Sequence, residues 1–287
     1  MRVPRFPAVA FCLALAAGSA PAQSGDWQKS YPASGGASLS LATGDASVEL
    51  HGCGGCGAIG IHVNWRDRNP NEFEINEFQT GGHVNFELKE KPRMGFRIGH
   101  FREPEVTVET PEKLDLEART SDGSLRIAGI NGTLELHTSD GSVDVSDVGG
   151  AMRLTASDGA IRLHNVTGAL ESRSSDGSVT IDGKFSGLQV HAGDGRMDVT
   201  LAEGTQLTTA SRIEGSDGRM TVRLPKSLAV DLDVHTSDGG IDCQLPLTMD
   251  GYNSAHNSGH NLRGHLNGGG TPLTIHASDG NVTIAAL

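Results

Sequence analysis

Asp122, Asp140, Asp158, Asp176, Asp217, Asp238 and Asp279 each stand in Ser-Asp-Gly, and Asp194 stands in Gly-Asp-Gly. A carboxylate that recurs in one setting can ligate a cation, trade protons or shape a turn. The residues around it favour the turn. In an Asp-Gly step between two strands, glycine takes positive φ at no steric cost, and Ser and Asp side chains bond nearby backbone amides. Gly123, Gly141, Gly159, Gly177, Gly195, Gly218, Gly239 and Gly280 supply that glycine. The glycine-rich calcium nonapeptide and the helix-loop-helix calcium spacing are both absent from the sequence.

His51, Cys53 and Cys56 form His-x-Cys-x-x-Cys. Three ligands are one short of a closed tetrahedral zinc site. A redox Cys pair wants a helix N-terminus to lower its thiol pKa, whereas glycines surround this one. In an oxidising compartment the simplest outcome is a disulfide between Cys53 and Cys56 across a tight turn. Metal ligation, redox chemistry and free thiols stay open as alternatives. Cys243 reads as a small apolar residue on a strand.

Histidines form two further groups. His256, His260 and His265 lie in a Gly/Asn/His-rich stretch, and imidazoles there can pick up transition metals. No carboxylate or cysteine sits at supporting spacing, so solvent-exposed histidines are the expectation. His137, His191, His235 and His276 each precede a turn aspartate by three residues, as do Arg119 and Arg173. On stacked strands they share an outward, solvated stripe. Some β-helical enzymes cleave acidic polysaccharides with paired carboxylates or an arginine base. Here turns and surface columns account for the carboxylates, and the loops are too short for groove walls. No nucleophile elbow, phosphate loop or complete metal set occurs. No catalytic, cofactor or metal residue is assigned, and the chain is read as non-enzymatic.

The setting of these residues begins at the N-terminus. Arg2 and Arg5, an apolar run from Val9 to Ala17 and Ala20-Pro21-Ala22 read as a secretory signal peptide over residues 1–22. That run is too short to span a bilayer, and no later segment is apolar enough to form a membrane helix. The expected product is exported, to the periplasm or cell surface. Losing the leader removes two arginines and no acid, so the net charge of −12 becomes about −14. Such a charge repels nucleic acid and anionic lipid. After Phe101 the only aromatic residues are Phe185 and Tyr252, which implies a thin aliphatic interior.

Five units of 18 residues begin at Leu116, Leu134, Met152, Leu170 and Leu188, with Asp at the same place in each. Fixed self-similarity signals stacked repeats. Alternating apolar pairs flank each turn, as in Leu134/Leu136 and Val143/Val145, so each unit is two strands with one face buried. Ile130, Val148 and Val166 add a fifth apolar position, and Gly132, Gly150, Gly168 and Gly187 close the units. The expectation is an all-β, single-stranded β-solenoid, right-handed and β-helix-like, with an antiparallel meander as the alternative. Outward positions favour the solenoid. The column Arg126, Asp144, Arg162, Thr180, Asp198 alternates in sign only if units stack in parallel, and Glu117, Glu135, Arg153, Glu171, Gln189 form a second column.

Pro111 and Pro225 mark corners or interruptions, and residues 273–284 repeat the unit once more. The organisation expected is a signal peptide at 1–22, an irregular N-terminal β region at 23–110, and a repeat solenoid at 111–287 with an insertion at 250–270. Most aromatics, including Trp65, Phe73, Phe78, Phe86, Phe96 and Phe101, lie in the N-terminal region and are placed to plug the open end of the stack.

A strand leading to Pro111, then Leu-x-x-x-Thr-Ser-Asp-Gly-Ser-Leu-x-Ile and repeated Ser-Asp-Gly corners, resembles the bacterial putative-adhesin domain family over about residues 35–287. The resemblance implies a β-helix-like fold at the cell envelope and carries no catalytic motif. The resulting expectation is an adhesin-like scaffold presenting β-faces to an envelope protein, a glycan or itself. A divalent-cation or envelope-stress ligand binder, using the Asp corners or the histidine loop, is the alternative.

Overall fold

Alternating apolar residues at an 18-residue repeat have one way to bury every apolar face at once, which is to stack. A computed structural model describes residues 26–33, 36–66, 68–92, 102–248 and 259–287. The signal-peptide reading at 1–22 and His256, Phe96 and Phe101 lie outside the described residues.

Equivalent strands pair in parallel, and the register between Ile161–Asp176 and Val179–Asp194 shifts between Leu163 and Val166 and returns between Gly168 and Ala169. Leu134 faces Leu116 on one side and Met152 on the other, Met152 faces Leu170, and Leu170 faces Leu188. This is a β-solenoid, and it rules out the meander, because successive units never pair antiparallel in the repeat. Two columns of strands result. One holds the strands that enter each Asp corner, such as Asp115–Thr120 and Asn131–Thr138. The other holds the strands that leave it, such as Leu125–Ala128 and Val143–Ser146. The long strands Ile161–Asp176 and Val179–Asp194 run through the opposite corner and contribute to both columns. Their inward residues are aliphatic and almost fully buried, among them Leu136, Leu154, Val145, Leu163 and Ile181. Ile130, Val148 and Val166 point inward as well.

The stack does not follow chain order at its ends. Ser38–Thr43 pairs with Asp115–Thr120 on one side and His83–Glu90 on the other, and Ser47–Cys53 lies between Leu125–Ala128 and Glu105–Pro111. The ladder is therefore continuous across residues 110 and 111. The last rung mirrors this. Thr271–Asp279 lies between Ser211–Asp217 and Val230–Asp238, and Val282–Ala286 between Met220–Leu224 and Ile241–Cys243. Each chain end thus supplies a rung one place in from the end of the stack.

Antiparallel strands finish the columns: Phe73–Thr80 and the pair Trp27–Pro32 and Ala58–Asn64 at one end, and Asn261–Leu266 at the other. Trp65, Phe73 and Phe86 are buried at the first end, with Trp27 5.4 Å from Phe86 and Trp65 5.4 Å from Phe73 between ring centroids. Phe78 departs from this plug; it is 55% exposed. Glu77 accepts hydrogen bonds there from Lys29 and from the Tyr31 hydroxyl, tying the two outermost strands together. Charge at the end of a core also discourages another sheet from adding on.

The interior column Leu136, Leu154, Ser172, Val190 has one polar member. Ser172 is 1% exposed and its hydroxyl has no hydrogen-bond partner. An unsatisfied buried hydroxyl costs about 1–3 kcal/mol. Ser172→Ala should therefore stabilise the fold by about 1 kcal/mol, raising the melting temperature by about 2–4 °C in a chain of this size. A lower melting temperature by circular dichroism would contradict this account.

Candidate functional site

The Asp corners differ in detail from the turn that the sequence suggests. The carboxylates of Asp122, Asp140, Asp158, Asp176, Asp194, Asp217, Asp238 and Asp279 are exposed and make no hydrogen bond or ion pair among the described residues. At Asp122, Asp140, Asp176 and Asp238 the corner is held from inside by the Thr or Ser two places earlier, whereas Ala or Gly stands there at Asp158, Asp194, Asp217 and Asp279. Thr138, fully buried, accepts from the Gly141 amide at 3.2 Å. Thr120 donates to the Gly44 carbonyl at 2.8 Å, Ser174 to Asp176 at 3.2 Å, and Thr236 to Gly280 at 3.2 Å. Burial makes an unpaired hydroxyl costly, and at these corners the carbonyls are within reach. The aspartates, pointing to water, need none.

Left-handed φ also explains only part of the glycine column. Gly177, Gly195, Gly218, Gly239 and Gly280 have positive φ, whereas Gly123, Gly141 and Gly159 do not. The shared cause is stacking: a Cβ on Gly141 would lie 2.0 Å from the Gly123 carbonyl oxygen, and one on Gly159 1.9 Å from that of Gly141. On the opposite corner Asp147 and Asn165 are themselves left-handed, at φ 54° and 51°. Asn165 donates to Asp147 at 2.6 Å, and Asp182 accepts from the Asn165 amide and from His164. The Asp182 hydrogen bond, followed by its charge, raises the His164 pKa.

The result is a straight outward face with side chains in rows. In the predicted column Asp144 lies between Arg126 and Arg162. In the other, Arg153 bonds Glu171 at 2.6 Å across strands, and Glu171 also binds Arg173. Arg119 pairs with Glu117 in the same way. Glu171, Arg173, Gln189, His191, Arg212 and Glu214 line a shallow depression of about 130 Å³ on this face. Arg212 donates to Glu214 at 2.8 Å, and His191 Nδ1 lies 3.7 Å from the other carboxylate oxygen.

Two groups that the sequence left apart acquire partners. Cys53 and Cys56 are joined across a turn, Cα atoms 5.7 Å apart, while His51 turns to Glu49. His265 bonds Asp231 at 2.6 Å, which, with the Gly270 amide, holds the Asp231 pKa below its ordinary value. That pairing corrects the expectation of an unsupported histidine, because the carboxylate comes from a distant strand. His260 is exposed. Cys243 is half-buried, and burial raises its thiol pKa.

Sequence reasoning missed one cluster. Asp45, Glu90 and Glu103 converge closely enough to surround a cation. The protein fills that role itself: Arg68, almost fully buried, reaches Glu103 at 2.8 Å, Glu90 at 3.1 Å and Glu72 at 3.5 Å, and packs 4.9 Å over the Phe73 ring. No periodicity reveals this group, because its members come from four separate segments.

The chain's residues 38–285 match the family model described as Toastrack DUF4097. Among solved structures it is similar to a putative cell adhesion protein from Clostridium sporogenes, at 13% identity and TM-score 0.28, covering 91% of this chain and all of that one. It is also similar to a putative adhesin from Bacteroides fragilis, at 10% identity and TM-score 0.37, covering 92% and 98%. A third is a putative adhesin from Parabacteroides merdae, at 12% identity and TM-score 0.26, covering 91% and 96%. No curated protein matches the chain.

Proposed function

The chain belongs to the Toastrack DUF4097 family, and from that premise we propose that it is a non-enzymatic, exported, adhesin-like scaffold whose outward β-face binds an envelope protein or a glycan. The observation that carries this reading is the face itself. In-register parallel strands from Ser38–Thr43 to Asn131–Thr138, Gly149–Ala156 and Thr271–Asp279 hold charged side chains in fixed rows. Strand backbone stacked on both sides cannot rearrange cheaply, so side chains on it are preorganised and lose little freedom on binding. Paired Arg and Glu residues such as Arg153, Glu171 and Arg173 offer both signs to a polar partner. The leader-like residues 1–22 and the Cys53–Cys56 pairing support an oxidising destination outside the cytoplasm.

The test uses the mature chain immobilised against envelope fractions and a glycan array. Saturable binding should fall about tenfold or more in an Arg153→Glu, Arg173→Glu double variant that melts at the same temperature. Unchanged binding in that variant would remove the face from the account. Turnover of an arrayed glycan, read as new reducing ends, would overturn the non-enzymatic reading. Fractionation of cells with an antibody reports export separately.

A further inference from the structure

Parallel strands in register place like positions in rows, about 4.8 Å from strand to strand. One row of the first column reads Arg173, His191, Glu214, His276, His235, Asn261. The inserted last rung makes this row. Without it Glu214 and His235 would not flank a common neighbour, and His276 would lie elsewhere. The result is two imidazoles and a carboxylate on three adjacent strands, with a third imidazole on the fourth.

The side chains are suited to more than solvation. The rings of His235 and His276 lie 5.2 Å apart between centroids and within 9° of parallel. His235 Nδ1 is 2.6 Å from Asn261 Oδ1. That contact engages Nδ1 and leaves Nε2 as the ring nitrogen available to a metal. Glu214 gives Oε1 to Arg212 and leaves Oε2 toward His191. In the neighbouring row Arg263 is taken up by Asp233 at 3.1 Å.

We propose that Glu214, His276 and His235, on three adjacent strands, form a binding site for a divalent transition metal of the zinc, nickel and copper class. Two imidazoles with one carboxylate suit these borderline ions, whereas calcium and magnesium require a shell of oxygens. The rings now stack and do not converge. Rotation about the Cα–Cβ and Cβ–Cγ bonds of these incompletely buried side chains is what coordination requires. A metal there would bridge Ser211–Asp217, Thr271–Asp279 and Val230–Asp238, clamping the inserted rung to both neighbours.

Titration calorimetry of the full mature chain with zinc, nickel, calcium and magnesium chlorides tests this. Zinc and nickel should bind one per chain, and zinc should raise the melting temperature. His276→Gln, at the centre of the row, should weaken zinc about tenfold or more. His137→Ala, whose row neighbours are Arg119 and Thr155, and His260→Ala should leave the affinity unchanged. Undiminished zinc binding in His276→Gln, loss of binding in His260→Ala, or calcium binding as tight as zinc would each overturn the assignment. The outcome is independent of whether the outward face binds an envelope partner.

Discussion

A chain ending at Gly270 should lose its cooperative unfolding transition, with a destabilisation of about 5 kcal/mol or more. In an ordinary solenoid, removing the last repeat exposes one new end and frays it, because each repeat touches only its neighbours. Here the last 17 residues are an interior rung. Leu273, Ile275, Val282 and Ile284 are completely buried and Ala277 nearly so. Burying one such aliphatic side chain contributes about 1.5–3 kcal/mol, and a whole domain is stable by only about 5–15 kcal/mol. The deletion also leaves ladder groups of Ser211–Asp217 and Val230–Asp238 without partners inside the stack. One rescue is open to the chain: Val230–Asp238 and Thr271–Asp279 both carry a His-x-Ser-Asp corner, so the outer rung can close onto the gap. Thermal and urea melts of the shortened chain, with hydrogen exchange at residues 211–224, check this. A melting temperature within a few degrees of the full chain, with exchange protection kept, would show that the outer rung has taken the vacant place.

Gly159→Ala should cost about 3–5 kcal/mol, a large effect for one methyl group. The added Cβ would lie 1.9 Å from the Gly141 carbonyl oxygen and 2.7 Å from its carbon. Both atoms are backbone, fixed by the ladder on each side, so the clash is not relieved by a side-chain rotation. Gly159 has no positive φ, so backbone strain does not contribute, and the substitution isolates the stacking distance. Gly60→Ala is the matched control. It lies in the strand Ala58–Asn64 with nothing within 4 Å of the new Cβ, and its stability should change by less than about 0.5 kcal/mol. Urea denaturation of the two variants reads the difference directly. Equal stabilities would mean that the rungs can part at the corner without loss.

Much of the architecture is legible in the residues. The alternation Leu134, Leu136, Val143, Val145 tells inside from outside, since successive strand side chains point to opposite faces. The 18-residue interval then sets the register, because a one-residue slip would bring a polar face into the core. The alternating signs of Arg126, Asp144 and Arg162 select parallel stacking, and the ladder agrees. The corner chemistry was legible in position but not in cause. Thr138 in place of Asp140 closes the turn, and the glycines are required by the rung beside them. Such crowding exists only once two rungs are stacked.

By itself, then, the sequence determined the repeating unit, its two faces, its register and the chemical character of its outward columns. These follow from nearest-neighbour periodicity, which a linear string carries in full. Only the tertiary structure decided the order of rungs at the two ends, the company kept by Arg68 and the row joining Glu214, His276 and His235. The rungs at 230–243 and 271–286 have nearly the same pattern, so local preference fits either to the same neighbour. Which lies inside is settled by how the chain can return from the antiparallel strand Asn261–Leu266 and still bury every apolar face.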